Sequence, residues 1–362
     1  MAQTVITDNK PQRFNWGHIS YYRTALMGFF CLYIIMFHNT IDWNHKLEWF
    51  HLFVYRGNVG VDAFLFLSGI GLYYSFQKHG EQVFPFYKKR LIRILFPYFL
   101  LCTPYYIYLS FFKHKELSFL KCITQIAFVT DNLITTWYIP CILVCYLFFP
   151  LLYYIQNKEF HFNGQKISRN IITALVVFFY FLMLVYVRDN YANLYNNIEI
   201  ALTRGIIFII GCHCAPYVQN KKQIPSGTAF ASALFIYIYV FYNIEEARFS
   251  AFWTRLSYVP FSFAFVIVIA YLLYCIDTKT NKHSFPFLEF VGNHSLELYL
   301  THVMIKDAYK WVFGSRNIIE KSGFIDYCVI IAAAFIISIG SHYIIDRLLK
   351  IKPPQKQRGH NG

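Results

Sequence analysis

The sequence predicts an all-α membrane protein of about ten transmembrane helices with both termini cytoplasmic, and three observations carry that prediction. Hydrophobic residues make up 57% of the 362-residue chain and charged residues only 14%, against roughly 25% charged in an ordinary soluble domain. Apolar runs of bilayer length recur from end to end, and the mean hydropathy is +0.38. Aromatic side chains reach 21%, with 30 Tyr and 6 Trp, residues that favour the headgroup level of a bilayer. The formal charge of +14 does not indicate nucleic-acid binding. The basic residues sit in short clusters between apolar runs, as the positive-inside rule requires, so the expected partner is the lipid bilayer.

A bilayer core needs about 20 apolar residues per helix. On that ruler ten spans are predicted, at 22–41, 59–76, 94–112, 136–156, 170–187, 203–218, 227–244, 255–276, 286–306 and 324–346. The sixth is the shortest. The run ITQIAFV (123–129) is too short to cross and reads as re-entrant or interfacial. With both termini inside, 20 Lys and Arg fall on the inner segments and 13 on the outer ones. The strongest anchors are KKRLIR (88–93) and RLLKIKPPQKQR (347–358). Residues 1–20 are therefore read as a cytoplasmic N-terminal segment, 21–347 as a ten-helix membrane domain and 348–362 as a basic cytoplasmic tail. No cleavable signal peptide or internal repeat is apparent. The localisation implied is a multi-pass protein of the cell (plasma or inner) membrane. The nine Cys lie mostly inside apolar runs, and Cys212 and Cys214 beside His213 read as small buried helix residues rather than a metal site. No metal is expected.

Ionisable groups inside a span are costly unless paired or wetted, so each is a functional candidate. His38, in LYIIMFHNT, falls in the outer half of the first span, where an imidazole can take a proton from a hydroxyl nucleophile; a structural His bonded to a neighbouring helix is the alternative. Asp62 opens the second span on the same outer side. It can orient the imidazole or simply favour the helix start. Ser68, Gly69 and Gly71 permit close helix approach. Arg90 and Arg93 are three apart and share a helix face at the inner mouth of the third span; they serve either as topogenic anchors or as a fork for phosphate. In GNHSLELYLTHVMIK, Glu297 lies about mid-span and His302 follows five residues on, rotated by roughly 500°, so the two do not stack perfectly.

Five blocks together resemble the acyltransferase 3 family of integral membrane acyltransferases: RTALMGFFCLYIIMFHNT (23–40), GNVGVDAFLFLSGIGLYYSF (57–76), FYKKRLIRILFPYFLL (86–101), WYIPCILVCYLFFPLLY (137–153) and GNHSLELYLTH (292–302). The resemblance implies a ten-helix core, an acyl-CoA donor on the cytoplasmic side (usually acetyl-CoA), and as acceptor a sugar hydroxyl on a surface glycan or its lipid-linked precursor. His38 matches the family's first-helix catalytic His, and Arg90 and Arg93 its Arg-x-x-Arg pair on the CoA side. Gly60, Val61, Asp62, Ser68 and Gly69 match the second-helix motif, and Trp137 the aromatic start of the fourth span. One departure stands out. Where the family commonly has an Arg eleven residues before the His, this chain has Met27, and the nearest Arg is Arg23, one turn nearer the cytoplasm.

These readings imply acyl transfer through the bilayer. Lys88, Lys89, Arg90 and Arg93, with Arg23, would hold CoA; His38 would act as general base, oriented by Asp62 or Glu297, or would carry the acyl group itself. Trp137, His302 and Ser68 are the expected substrate contacts. The rival readings are a transporter or flippase of a polyprenyl-linked glycan and a non-catalytic membrane scaffold in which His38 and Glu297 pair.

Overall fold

The computed structural model describes residues 13–38, 48–114, 116–225, 227–241, 251–280, 284–313 and 318–349. It is 84% helical. Among the described residues the only strands form a hairpin, His161–Phe162 against Gln165–Lys166. Its turn is Asn163-Gly164, both at positive φ, the pair suited to a two-residue hairpin.

Among the described residues seven helices are long and apolar enough to cross a membrane, and the protein is an all-α membrane protein. In chain order the helices begin with α1 (Gly17–Tyr21), α2 (Arg23–His38), α3 (Glu48–Val54), α4 (Val59–Lys78) and α5 (Val83–Tyr108), the last extended by a π-helical turn, Leu109–Lys113. Short α6 (Phe119–Ile123) and α7 (Ile126–Thr130) precede α8 (Tyr138–Asn157), α9 (Arg169–Asn190), α10 (Ala192–Leu202) and α11 (Gly205–Gln219). Then follow α12 (Gly227–Phe241), α13 (Ala251–Thr280), α14 (Pro286–Asn293), α15 (Ser295–Phe313) and α16 (Ile318–Leu349).

Each predicted span meets a helix, with instructive differences. The third begins at Val83 rather than 94, because KKRLIR belongs to the helix itself. The sixth is the second half of a bent pair, α10 and α11, hinged at Thr203 and Arg204; the Tyr180 hydroxyl donates to the Leu202 carbonyl there at 2.7 Å. The ninth breaks at His294, between α14 and α15. The outer end of the first span, beyond His38, lies outside the described residues, as do the N-terminal segment up to residue 12 and the basic tail from residue 350.

Burial orders the bundle. In α4, 78% of the apolar window is buried, against 17% in α9 and 28% in α16. The outer faces of those two are apolar, with Phe178, Phe179 and Ile336 all exposed, a surface suited to lipid rather than water. Residues 119–130 do not cross. They turn at Gln125, whose φ is +62°, and the Gln125 amide ties the turn to α5 by donating to the hydroxyls of Tyr98 (2.6 Å) and Tyr106 (2.9 Å).

Two glycine crossings set the central packing. A Cβ on Gly28 would lie 1.9 Å from the Leu288 carbonyl oxygen, and one on Gly292 would lie 1.9 Å from that of Thr24, so only glycine lets α2 and α14 approach this closely. The pair fixes a parallel register. Gly28 sits beside Gly292, the Cys31 thiol meets the Ser295 carbonyl, and His38 lies beside His302. Gly69 and Gly211 make the second crossing, between α4 and α11.

Candidate functional site

Helix rotation explains which side chains meet. On α4, Gly60 and Gly71 are eleven residues apart, about 1100° of rotation, and share a face. That face packs on α2: a Cβ at Gly60 would press on Phe30 and Ile34, and one at Gly71 on the Arg23 guanidinium. Asp62 and Gly69 are seven apart, about 700°, and share a different face, about 200° from Gly60. This second face packs on α11.

Asp62 therefore does not orient His38. Its carboxylate pairs with Arg204 at the α10–α11 hinge, 3.1 Å away, and both side chains are only 1% exposed. Arg204 also donates to the Ile200 carbonyl at 2.6 Å and lies over the Trp137 ring, 4.7 Å from its centroid. Trp137 thus packs on the ion pair from the start of α8. Glu297 does not orient His38 either. It faces α16, where its Oε1 lies 2.9 Å from Nδ1 of His342, and His342 packs on His294 at 4.5 Å between centroids. The five-residue separation of Glu297 and His302 turns them about 140° apart, so one looks to α16 and the other to α2.

His38 meets His302, with 5.1 Å between ring centroids. Lys306, one turn beyond His302, donates to the His38 carbonyl oxygen. A basic group on the last carbonyls of a helix satisfies acceptors that have no partner within it. Beside Phe37, a cavity of about 380 Å³ is lined by Tyr55, Asn58, Thr254, Arg255 and Tyr258, so this end of the bundle carries both imidazoles and an aromatic and polar recess.

At the opposite end of α2, about 22 Å away at 1.5 Å per residue, stands a cluster of guanidinium groups. Arg23 donates to the Leu67 carbonyl at 3.3 Å and lies within electrostatic reach of Arg90, Arg93, Tyr146 and Tyr138. Arg90 is half-buried and acts on Arg93 and Tyr146, and its Nε is buried with no partner among the described residues. No carboxylate is among the groups acting most strongly on Arg23 or Arg90. Lys88 and Lys89 are exposed on the same helix start, with the Lys89 ammonium 3.3 Å from Nε2 of His79. Arg23, rather than the half-buried Met27, is thus the first-helix charge beside the Arg-x-x-Arg pair.

Buried tyrosines connect the two ends. Tyr146 lies by the arginines and acts on Tyr138, Ser68 meets Tyr138, Tyr138 packs on Tyr299 at 5.1 Å, and Tyr299 packs on His302 at 5.9 Å. These three tyrosines, with Arg204, His342 and Lys306, escaped the reading of the sequence. A signal existed for three of them, since Arg204, Lys306 and His342 are ionisable groups in or beside apolar runs. The tyrosines had none among the 30 in the chain.

Fold and site together define a multi-pass helical membrane protein with a basic cluster at one end of α2 and paired imidazoles at the other. The family model described as acyltransferase domain matches residues 24–343. The chain belongs to that family, the acyltransferase 3 family, and is a membrane acyltransferase. Neither the curated proteins nor the solved structures compared with it gave a match.

Proposed function

We propose that this protein moves an acyl group, acetyl first among candidates, from acyl-CoA to a sugar hydroxyl of a surface polysaccharide, exopolysaccharide or lipid-linked glycan, with His38 as general base. The observation that carries the reading is the polar column: Arg23, Arg90 and Arg93 with no ion pair to a carboxylate among the described residues, then Tyr146, Tyr138 and Tyr299, then His302 and His38. An unneutralised guanidinium cluster is a site for a polyanion, and the CoA diphosphate and 3′-phosphate supply that charge. The pantetheine arm then runs along the tyrosines and carries the thioester toward His38. The donor is made in the cytoplasm, which agrees with the inner excess of Lys and Arg and sets the arginine end inside, in the cell membrane.

At the His38 end the acceptor hydroxyl enters from the recess beside Phe37. His38 takes the hydroxyl proton as the oxygen attacks the thioester carbonyl; the C–S bond then breaks, and the leaving CoA thiolate takes that proton back from the imidazolium, which restores the base. The binding of donor and acceptor at one base converts a bimolecular step into an effectively unimolecular one.

The test is transfer by purified protein in detergent or nanodiscs, from radiolabelled acetyl-CoA to a panel of glycan and lipid-linked sugar acceptors. Label passes to an acceptor in the native protein and is lost in His38→Ala, which stays folded and inserted. An active His38→Ala variant would overturn the assignment of the base. Failure of acetyl-CoA and longer acyl-CoAs either to bind or to turn over would remove the donor and favour movement of a polyprenyl-linked glycan instead.

A further inference from the structure

Neither carboxylate expected to orient His38 meets it among the described residues: Asp62 reaches Arg204 through one oxygen, on the α11 face of α4, and Glu297 meets His342. Among the described residues no hydrogen bond reaches the His38 ring. A general-base histidine normally needs a partner on its second nitrogen to hold the ring and its tautomer.

His302 carries what such a partner requires. It is 1% exposed, and its Nδ1 lies 2.9 Å from the Leu298 carbonyl oxygen. A carbonyl only accepts, so Nδ1 holds the proton, and Nε2 of the neutral ring is left with its lone pair. That Nε2 is buried and has no partner among the described residues. An unmet acceptor in an apolar interior is costly and calls for a donor. The nearest ring is that of His38, at 5.1 Å between centroids and 52° between planes, a separation that leaves about 3 Å, a hydrogen-bond distance, between ring nitrogens turned to face one another. Such bonds are often open in the substrate-free enzyme and close in the complex.

We infer that His302 is the positioning residue of the reaction: its Nε2 accepts the N–H of His38 that faces away from the acceptor, which leaves the other His38 nitrogen bare toward the sugar hydroxyl. The pair takes the place that a carboxylate holds in a His–Asp arrangement. When His38 gains the hydroxyl proton, the N–H donated to His302 strengthens, and no proton needs to pass to His302. The parallel register pinned at Gly28 and Gly292 holds the two rings level, and Lys306, bonded to the His38 carbonyl, fixes the end of α2. This inference rests on the reading of His38 as the base.

Two amides separate this role from a structural one. His302→Asn sets a donor at the place of Nδ1, keeps the bond to Leu298 and removes the group at Nε2. His302→Gln sets its carbonyl oxygen at the place of Nε2. The positioning role predicts that His302→Asn loses about 10²–10³ in kcat, on the scale of base catalysis, with KM for acyl-CoA unchanged and the protein folded. His302→Gln then stays within about tenfold of the native kcat. A native kcat in His302→Asn overturns the inference. So does a loss in folded His302→Gln as deep as that in the Asn variant, and so does unfolding of both variants, which marks a structural residue. Activity in His38→Ala measured alongside would strike the base itself instead, so the two failures are distinct.

Discussion

Replacing Asp62 by Leu strands the Arg204 guanidinium in the middle of the bundle. The native bond is 3.1 Å and each side chain is 1% exposed, so water cannot take the lost partner's place. Removing one member of such a buried pair costs about 3–5 kcal/mol, because an uncompensated charge stays behind. Arg204 keeps the Ile200 carbonyl and the Trp137 ring, which places the expected loss at the lower end, about 3 kcal/mol. Asp62→Leu combined with Arg204→Met removes both charges; an apolar pair of similar volume is often neutral, so the double variant should recover to within about 1 kcal/mol of the native protein. Thermal unfolding of purified protein in one detergent, with gel filtration as a check on folding, reads all three variants. The single variants should fall by about 5–15 °C on the scaling of soluble domains. A native midpoint in Asp62→Leu, or a double variant no better than the worse single, would refute the reasoning. Transfer is informative as well. The pair lies on the α11 face of α4, away from His38, so the folded double variant should keep transfer within about tenfold. A loss as complete as that of His38→Ala would return Asp62 to the chemistry.

Gly292→Ala places a methyl 1.9 Å from the Thr24 carbonyl oxygen, so α14 must move by about 1 Å, at about 1–3 kcal/mol for overpacking. A shift of that size can cost about 100-fold in rate, and turnover measured beside the unfolding midpoint should show both losses; native values of both would refute the role of the glycine pair in holding His302 level with His38. Arg90→Ala and Arg93→Ala should each raise KM for acyl-CoA about tenfold with a smaller change in kcat, and native binding should weaken as salt rises. Unchanged CoA affinity in titration calorimetry would leave those residues as anchors of topology only.

The helices were legible because hydropathy reports a solvent constraint: in lipid every backbone N–H and C=O must be met within the segment, so an apolar run of the right length becomes a helix. Even so, the start of α5 was misplaced and the break between α14 and α15 was missed. Arg90 and Arg93 lie inside a helix that hydropathy alone begins at 94, since basic side chains extend to the interface from helix that is already formed. The break at His294 had a local signal in Gly292 and Asn293, both poor in helix interiors, which the apolar length of the span overrode. In the site, His38 and the Arg-x-x-Arg pair were visible as ionisable groups in fixed motifs. The orienting role given to Asp62 and Glu297 rested on depth in the membrane, and depth does not say which way a side chain faces.

That distinction divides what each level of description decides. The sequence by itself determined the membrane class and the angular relation of residues on one helix: Asp62 with Gly69, Gly60 with Gly71, and Glu297 turned away from His302. All of these follow from the 3.6-residue repeat and the thickness of a bilayer. Which helix lies against each face is a choice among many pairings of similar hydrophobicity, since lipid and apolar side chains are nearly equivalent solvents for a helix. Close packing at glycine crossings makes that choice, and only the tertiary structure holds it. Gly28 on Gly292 sets His38 beside His302, Gly69 on Gly211 sets Asp62 beside Arg204, and the partners of the buried charges follow from those two contacts.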